Sequence, residues 1–431
     1  MYKRQVLHGQ AVDPIARATE NDYYVPEIAD PLNPSLFVQE IDVPVFLTGG
    51  WQDEQTGPHF ATLLDDFSGA PVQRFTVFNG LHADGYSPAT LAEWKAFLDL
   101  YVARRPPAAP PLYALLAPFL FEQAFGQALP AVDIPFSDAG VYPTYEDAKA
   151  AYEAQARLRV IFERGSDPAR LGMPADGFTL EFGAWPPEET SPWRLYLHAD
   201  GSLRSAAPSV ETESASKFAH DPAAGQRTLG GGQPFYTWAQ PAAGNALVFE
   251  SDPLAEDHVL VGSASVDLWL KSTADDADIQ VLISEVRPDG NETYVQAGWL
   301  RASQRGLAPD ATELRPVKTH LEGDAALLPA GEYALVRVEV MPFAHPFRQG
   351  SRVRLEIATP GDSRERWRFE LLEYPEGELV EHQIAHSMAH PSSVVLPLIP
   401  AASAPTPLPG CPGQRGQPCR PHAAYANAPG D

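Results

Sequence analysis

The chain has 431 residues, a formal net charge of -25 and 44% hydrophobic residues. That length suits two or three domains. The acidic balance argues against nucleic acid and anionic membrane surfaces as partners, because both need clustered Lys and Arg, and no apolar run approaches the roughly 20 residues of a membrane span. The only cysteines, Cys411 and Cys419, lie near the C-terminus. They could close a small loop in an exported protein, but they are too few to brace a core or hold zinc. The start, Met1-Tyr2-Lys3-Arg4-Gln5, is charged and runs into no apolar segment, so no signal peptide is expected and localisation stays open.

Residues 1–35 are polar, with Pro26, Pro31 and Pro34 breaking any long helix, and read as the end of something rather than the start of a domain. Val43 to Leu47 is a continuous apolar run, the pattern of a strand covered on both faces. Phe60, Leu63, Leu64 and Phe67 fall on one stripe, which predicts a helix over Gly57 to Phe67. Phe75 to Phe78 is the next strand. Ser87-Pro88 then opens a second helix, with Leu91, Trp94, Leu98 and Tyr101 as its expected buried face. The order strand, helix, strand, helix implies parallel βαβ pairing. Pro106 to Pro111 interrupts the chain, and two further helices are expected, over Tyr113 to Ala128 and Glu146 to Arg157.

From about residue 157 short β-rich segments recur between Gly, Pro and Asp turns, among them Leu158–Phe162, Trp193–Leu197, Ala264–Leu270, Ile279–Ile283, Tyr333–Val340 and Arg352–Ile357. Several alternate polar and apolar residues, as half-buried antiparallel strands do. Pro288-Asp289-Gly290 is a turn between two of them. The sum is a β-sandwich of jelly-roll size. After Pro400 the Pro, Ala and Gly content predicts disorder.

Two apolar runs end in chemistry. The first closes on Gly49-Gly50-Trp51-Gln52-Asp53 and the second on Asn79-Gly80-Leu81-His82-Ala83-Asp84. By residue type alone, Asp53 could cap the following helix and His82 could be a loop histidine. With both at strand ends, the pair also suits a hydrolytic triad of the order Ser, Asp/Glu, His, and no Gly-x-Ser-x-Gly or Gly-x-Ser-x-x-Gly turn appears in the sequence. His59, inside a predicted helix, and Asp84, which follows the histidine, are poorer candidates for the same roles. Asp275, Asp276 and Asp278 read as a solvated loop rather than a calcium site, and Gly230-Gly231-Gly232 as a flexible connection rather than a phosphate loop.

The two motifs, followed by the β-rich half, resemble the CocE/NonD group of serine hydrolases, which includes cocaine esterase and the Xaa-Pro dipeptidyl-peptidases. Ser251-Asp252-Pro253-Leu254, Val261-Gly262-Ser263-Ala264, the stretch Asp275 to Gly290, Gly298-Trp299-Leu300-Arg301 and the stretch His390 to Pro397 are similar to the later strands of that family. The resemblance covers roughly residues 36 to 105 and 157 to 400. It implies α/β plus all-β architecture: the C-terminal part of an α/β-hydrolase domain followed by a jelly-roll β-sandwich. The expected divisions are a remnant of a helical cap or linker at 1–35, hydrolase at 36–112, a helical connection at 113–156, jelly roll at 157–400 and a disordered tail at 401–431.

The implied activity is cleavage of an ester, an amide or an X-Pro dipeptide, with Asp53 as triad acid, His82 as base and no metal or organic cofactor. Trp51 either packs beside or lines the substrate site or is a core tryptophan at a strand end. The implied partner is a small-molecule ester or peptide. The serine is expected outside these residues, so the chain alone should be inactive. An exposed sheet edge would invite association with a second copy. The rival expectation is a jelly-roll module that binds a ligand or carbohydrate without catalysis, or one chain of a two-chain enzyme.

Overall fold

The apolar run after Pro44 forms β1 (Val45–Gly50), and the run Gln73–Phe78 forms β2. They pair in parallel, from Val45 opposite Gln73 to Gly50 opposite Phe78. These elements come from a computed structural model that describes residues 21–224, 238–361 and 371–430. The described residues fall into two compact units. One comprises 34–188 with 413–416, and the other comprises the remainder.

The first unit is a four-stranded sheet in the order β1-β2-β3-β4. Strand β3 (Leu158–Phe162) lies parallel to β2, and β4 (Phe178–Phe182) lies antiparallel to β3. The compact unit runs past the expected boundary at 157 to residue 188, since β3 and β4 belong to this sheet. Alternation shows that a segment is a strand and not which sheet receives it. The helices Tyr113–Phe125 and Tyr145–Glu153 are likewise part of this unit's β2-to-β3 crossover, not a link between domains.

Between β1 and β2 the expected helix is a 3₁₀ segment, Pro58–Leu63, followed by turns closed by i to i+3 bonds such as Asp66 N–H to Leu63 O at 2.9 Å. A spacing of three serves either helix type, and here the tighter one forms. The helix Pro88–Leu98 starts where expected, with Ser87 as N-cap. Its buried face is not the expected large one. Ala92 and Ala96 are buried and Trp94 is 45% exposed. Glu93 explains the rotation: its carboxylate accepts from Thr76 Oγ1 on β2 at 2.8 Å and pairs with Arg159 on β3, so the small residues beside it face inward.

The second unit holds a thirteen-stranded sheet, running β5 (Ser191–Leu197), β6 (Ser202–Arg204), β7 (Ala215–Ala219), β8 (Ala246–Ser251), β9 (His258–Ser272), β10 (Asp278–Val286), β11 (Asn291–Arg301), β12 (Ala334–Phe347), β13 (Arg352–Ala358), β14 (Glu381–Ala385), β15 (Ser393–Ile399), β16 (Cys419–Pro421) and β17 (Ala428–Pro429). Every pairing is antiparallel except β6 with β8. Alternate residues of β8 to β13 meet in one apolar core, among them Phe249, Val266, Ile283, Val295, Val338 and Leu355. The turn Pro288-Asp289-Gly290 joins β10 to β11, with Gly290 at φ 82°.

One expectation for the ends of the chain, the disordered tail, is corrected here. Residues 21–33 pack with this unit, where Tyr24 N–H donates to His320 O at 2.7 Å and Gln304 Nε2 to Asp22 O at 2.8 Å. Of the cap or linker remnant expected at 1–35, the described residues 21–33 thus pack with the antiparallel unit. Residues 401–430 are not a disordered tail. Cys411 and Cys419 form a disulfide, and β16 pairs with β11. Arg420 accounts for the order: its guanidinium donates to buried Glu292 at 2.9 and 3.1 Å and lies 3.6 Å from the Trp238 ring centre. A buried carboxylate needs such a partner, and composition does not register it.

Candidate active site

Two glycine-containing turns bring the site together. A Cβ on Gly50 would sit 2.5 Å from Gly80 O, so the ends of β1 and β2 touch only because neither turn carries a side chain there. Trp51 N–H donates to Phe78 O at 2.8 Å, and Gln52 N–H to Gly80 O at 3.1 Å. These bonds fix the two turns side by side and carry Asp53 and His82 into contact.

His82 Nδ1 lies 2.8 Å from Asp53 Oδ2. The Asp53 side chain is 10% exposed and the imidazole 39%. Asp53 is held by its own turn: Oδ1 accepts from Gln55 N–H at 2.7 Å and Thr56 N–H at 2.9 Å, and Oδ2 from Thr56 Oγ1 at 2.8 Å. The neighbouring Glu54 accepts the backbone N–H of His82 at 3.1 Å. An ionised carboxylate only accepts, so Nδ1 of the neutral ring carries the proton and Nε2 is the free base. Among the described residues Nε2 makes no hydrogen bond.

The other residues singled out in the sequence are placed as follows. Trp51 has no exposed surface and stacks between Phe60 and Trp185, at 5.7 and 5.2 Å between ring centres. A ring so enclosed presents nothing to a substrate, so of the two expected roles it has the core one, supporting the Asp53 turn. His59 lies in the 3₁₀ segment. Asp84 is fully buried and accepts Leu81 N–H at 2.8 Å, so its carboxylate serves the turn and not the imidazole. Asn79 locks the same turn to the end of β3, with Nδ2 to Arg164 O at 3.0 Å and Oδ1 from Arg164 N–H at 2.7 Å.

In the strand-rich unit Asp276 and Asp278 are buried rather than solvated. Asp276 accepts the N–H groups of Ala277 and Ser303, both at 2.8 Å, and Asp278 pairs with Arg301 at 2.8 Å. Gly230-Gly231-Gly232 lies outside the described residues.

Sequence reasoning missed Glu54, Thr56 and Arg415. Thr56 stands three residues after Asp53, the spacing of a local side-chain turn, and was findable. Arg415, which donates from Nε to both oxygens of Asp84 at 2.7 Å, is 331 residues away and left no local signal.

The chain thus joins a mixed sheet, with an acid–imidazole pair at adjoining strand ends, to a large antiparallel unit. The chain belongs to the family of the X-Pro dipeptidyl-peptidase C-terminal non-catalytic domain, whose model matches residues 153–393. A Mycobacterium bovis protein named as a serine esterase is 30% identical over 226 residues, which cover 50% of this chain and 35% of that one. Cocaine esterase of a Rhodococcus species is 23% identical over 291 residues, covering 62% of this chain and 48% of that one. The chain therefore spans about a third to a half of these curated relatives. A CocE/NonD family hydrolase from Staphylococcus aureus shares the fold at TM-score 0.60 and 18% identity, covering 90% of this chain and 59% of that one. An α-amino acid ester hydrolase does so at 0.55 and 14%, covering 90% and 61%. The relatives are hydrolases of CocE/NonD type.

Proposed function

We propose that the chain is the later part of a serine hydrolase that cleaves an ester or amide, with His82 as general base and acid and Asp53 as its orienting carboxylate. The single observation that carries this is the 2.8 Å contact between His82 Nδ1 and Asp53 Oδ2 at the ends of adjoining strands. The first unit is then the C-terminal half of an α/β-hydrolase domain, with β1 next to the strands that would carry the nucleophile. The antiparallel unit is read as a jelly roll, and the description of the matching family supports a non-catalytic role for it. Because the curated relatives extend well beyond the aligned region, the serine and the oxyanion-hole donors are assigned to polypeptide outside these residues.

In this reading Nε2 of His82 takes the hydroxyl proton as the serine oxygen bonds to the acyl carbon. Asp53 stabilises the imidazolium, and the same proton passes to the departing alcohol or amine. Water then repeats the cycle and releases the acid. Thr56 and the Gln55 amide keep the carboxylate from swinging away between steps.

The test is hydrolysis of simple acyl esters by the longest reading frame that contains these residues. His82→Ala and Asp53→Asn should each lower kcat by roughly 10³- to 10⁵-fold with the fold intact. Undiminished turnover by His82→Ala would remove His82 from the mechanism.

A further inference from the structure

We infer that Arg415 is a positioning residue for His82. This rests on the reading of His82 as the base. Arg415 belongs to the short segment Gly413–Gly416 of the first unit. Its guanidinium is 4% exposed and lies against Asp84, whose carboxylate is fully buried. Nε donates to both Asp84 oxygens at 2.7 Å, and Nη1 to Gly172 O at 2.6 Å. Its backbone N–H donates to Arg164 O at 2.9 Å, next to the Asn79 lock.

Asp84 in turn accepts Leu81 N–H and sits in the 3₁₀ turn that begins at His82, His82–Tyr86. The turn that carries the imidazole is therefore built around a carboxylate with no access to water. Such a charge is tolerated only when paired and hydrogen-bonded. Arg415 supplies that pairing with a planar fork that lysine cannot reproduce. Without it the buried charge has lost its pairing, and a carboxylate drawn toward solvent loosens the Leu81 bond and shifts His82 relative to Asp53. The carboxylate also lies close against the preceding turn, where a Cβ on Gly80 would meet Asp84 Oδ2 at 2.5 Å.

The experiment uses the full chain labelled with ¹⁵N. Two signals are followed: the downfield Nδ1–H proton of His82, and hydrogen exchange at the Leu81 and His82 amides. In Arg415→Met the downfield proton should vanish and both amides should exchange about tenfold faster or more, while amides of the antiparallel unit are unchanged. Arg415→Lys should recover part of the effect. Asp84→Asn/Arg415→Met removes the charge together with its partner and should restore both signals. If Arg415→Met alone fails to fold, that double variant decides. Restored signals support the role, and a double variant that remains unfolded or lacks them overturns it. Unchanged signals in a folded Arg415→Met also overturn it. A downfield proton insensitive to Asp53→Asn would instead sink the catalytic pair, and amide exchange would still decide the role of Arg415.

Discussion

His382 shows how much a single buried side chain sets the acid response of the antiparallel unit. It is enclosed on β14, with Nδ1 3.0 Å from Ser272 Oγ and its ring 5.2 Å from that of Phe218. Burial, helped by the nearby His220, pushes its pKa down to about 3. Below the ordinary histidine value the unfolded chain takes up a proton that the folded one refuses, so stability falls as pH drops from about 6.5 toward 3. Between pH 6.5 and 5 the loss is about 2 kcal/mol. His220 and His386 are lowered by burial too and act in the same window. Glu285 behaves differently. Burial opposes its charge, but His345 and Ser351 more than offset this and hold it below the usual carboxylate range, so its contribution is lost only at lower pH. Unfolding free energies of His382→Gln from urea melts at pH 7 and pH 5 should therefore differ by about 2 kcal/mol less than those of the unmodified chain. An equal loss in both would mean that His382 is not the group that titrates.

At the scale of elements, what the sequence made legible depended on how local the cause was. Ser87-Pro88 announced a helix start because an N-cap acts within four residues. Its hydroxyl does accept Thr90 N–H, at 3.4 Å, and bonds Thr90 Oγ1 at 2.9 Å. Ser87→Ala should cost about 1 kcal/mol in a urea melt, since it strips one donor's partner at a fully buried site. Asp53 and His82 were readable for the same reason, each following a glycine turn at the end of an apolar run. The inward face of the Pro88–Leu98 helix was not readable, because Glu93 turns it by pairing with Arg159, 66 residues on. Strand β16 was hidden for a similar reason. Pro, Ala and Gly around it mimic a solvated tail, while the deciding contacts run from Arg420 to Glu292 over 128 residues. Ion pairs of that reach carry no periodicity.

For the whole molecule, division into units follows from pairing partners rather than composition, and this is why β3 and β4 fall with the first sheet although the family model begins at residue 153. The same reasoning gives the disulfide a measurable role. Cys411 and Cys419 are eight residues apart, so closing that loop removes little freedom from the unfolded chain, worth about 2.5 kcal/mol on the chain-entropy estimate. The segment also carries native contacts. Cys419 stands in β16 opposite Thr293, and Arg420 follows it onto Glu292. Cys411→Ser/Cys419→Ser and chemical reduction should thus agree in lowering the unfolding free energy from urea melts by about 2 to 3 kcal/mol if those contacts survive without the bond. A larger loss, together with a shallower or split transition, would show that β16 detaches, because the pairing of β11 and the partner of Glu292 would go with it. Arg420→Met in the oxidised chain separates the two causes: it leaves the loop closed and removes only the contact. If its loss and that of the double serine variant add in the triple variant, the disulfide acts on the unfolded chain alone. If they overlap, it acts by holding the native strand in place.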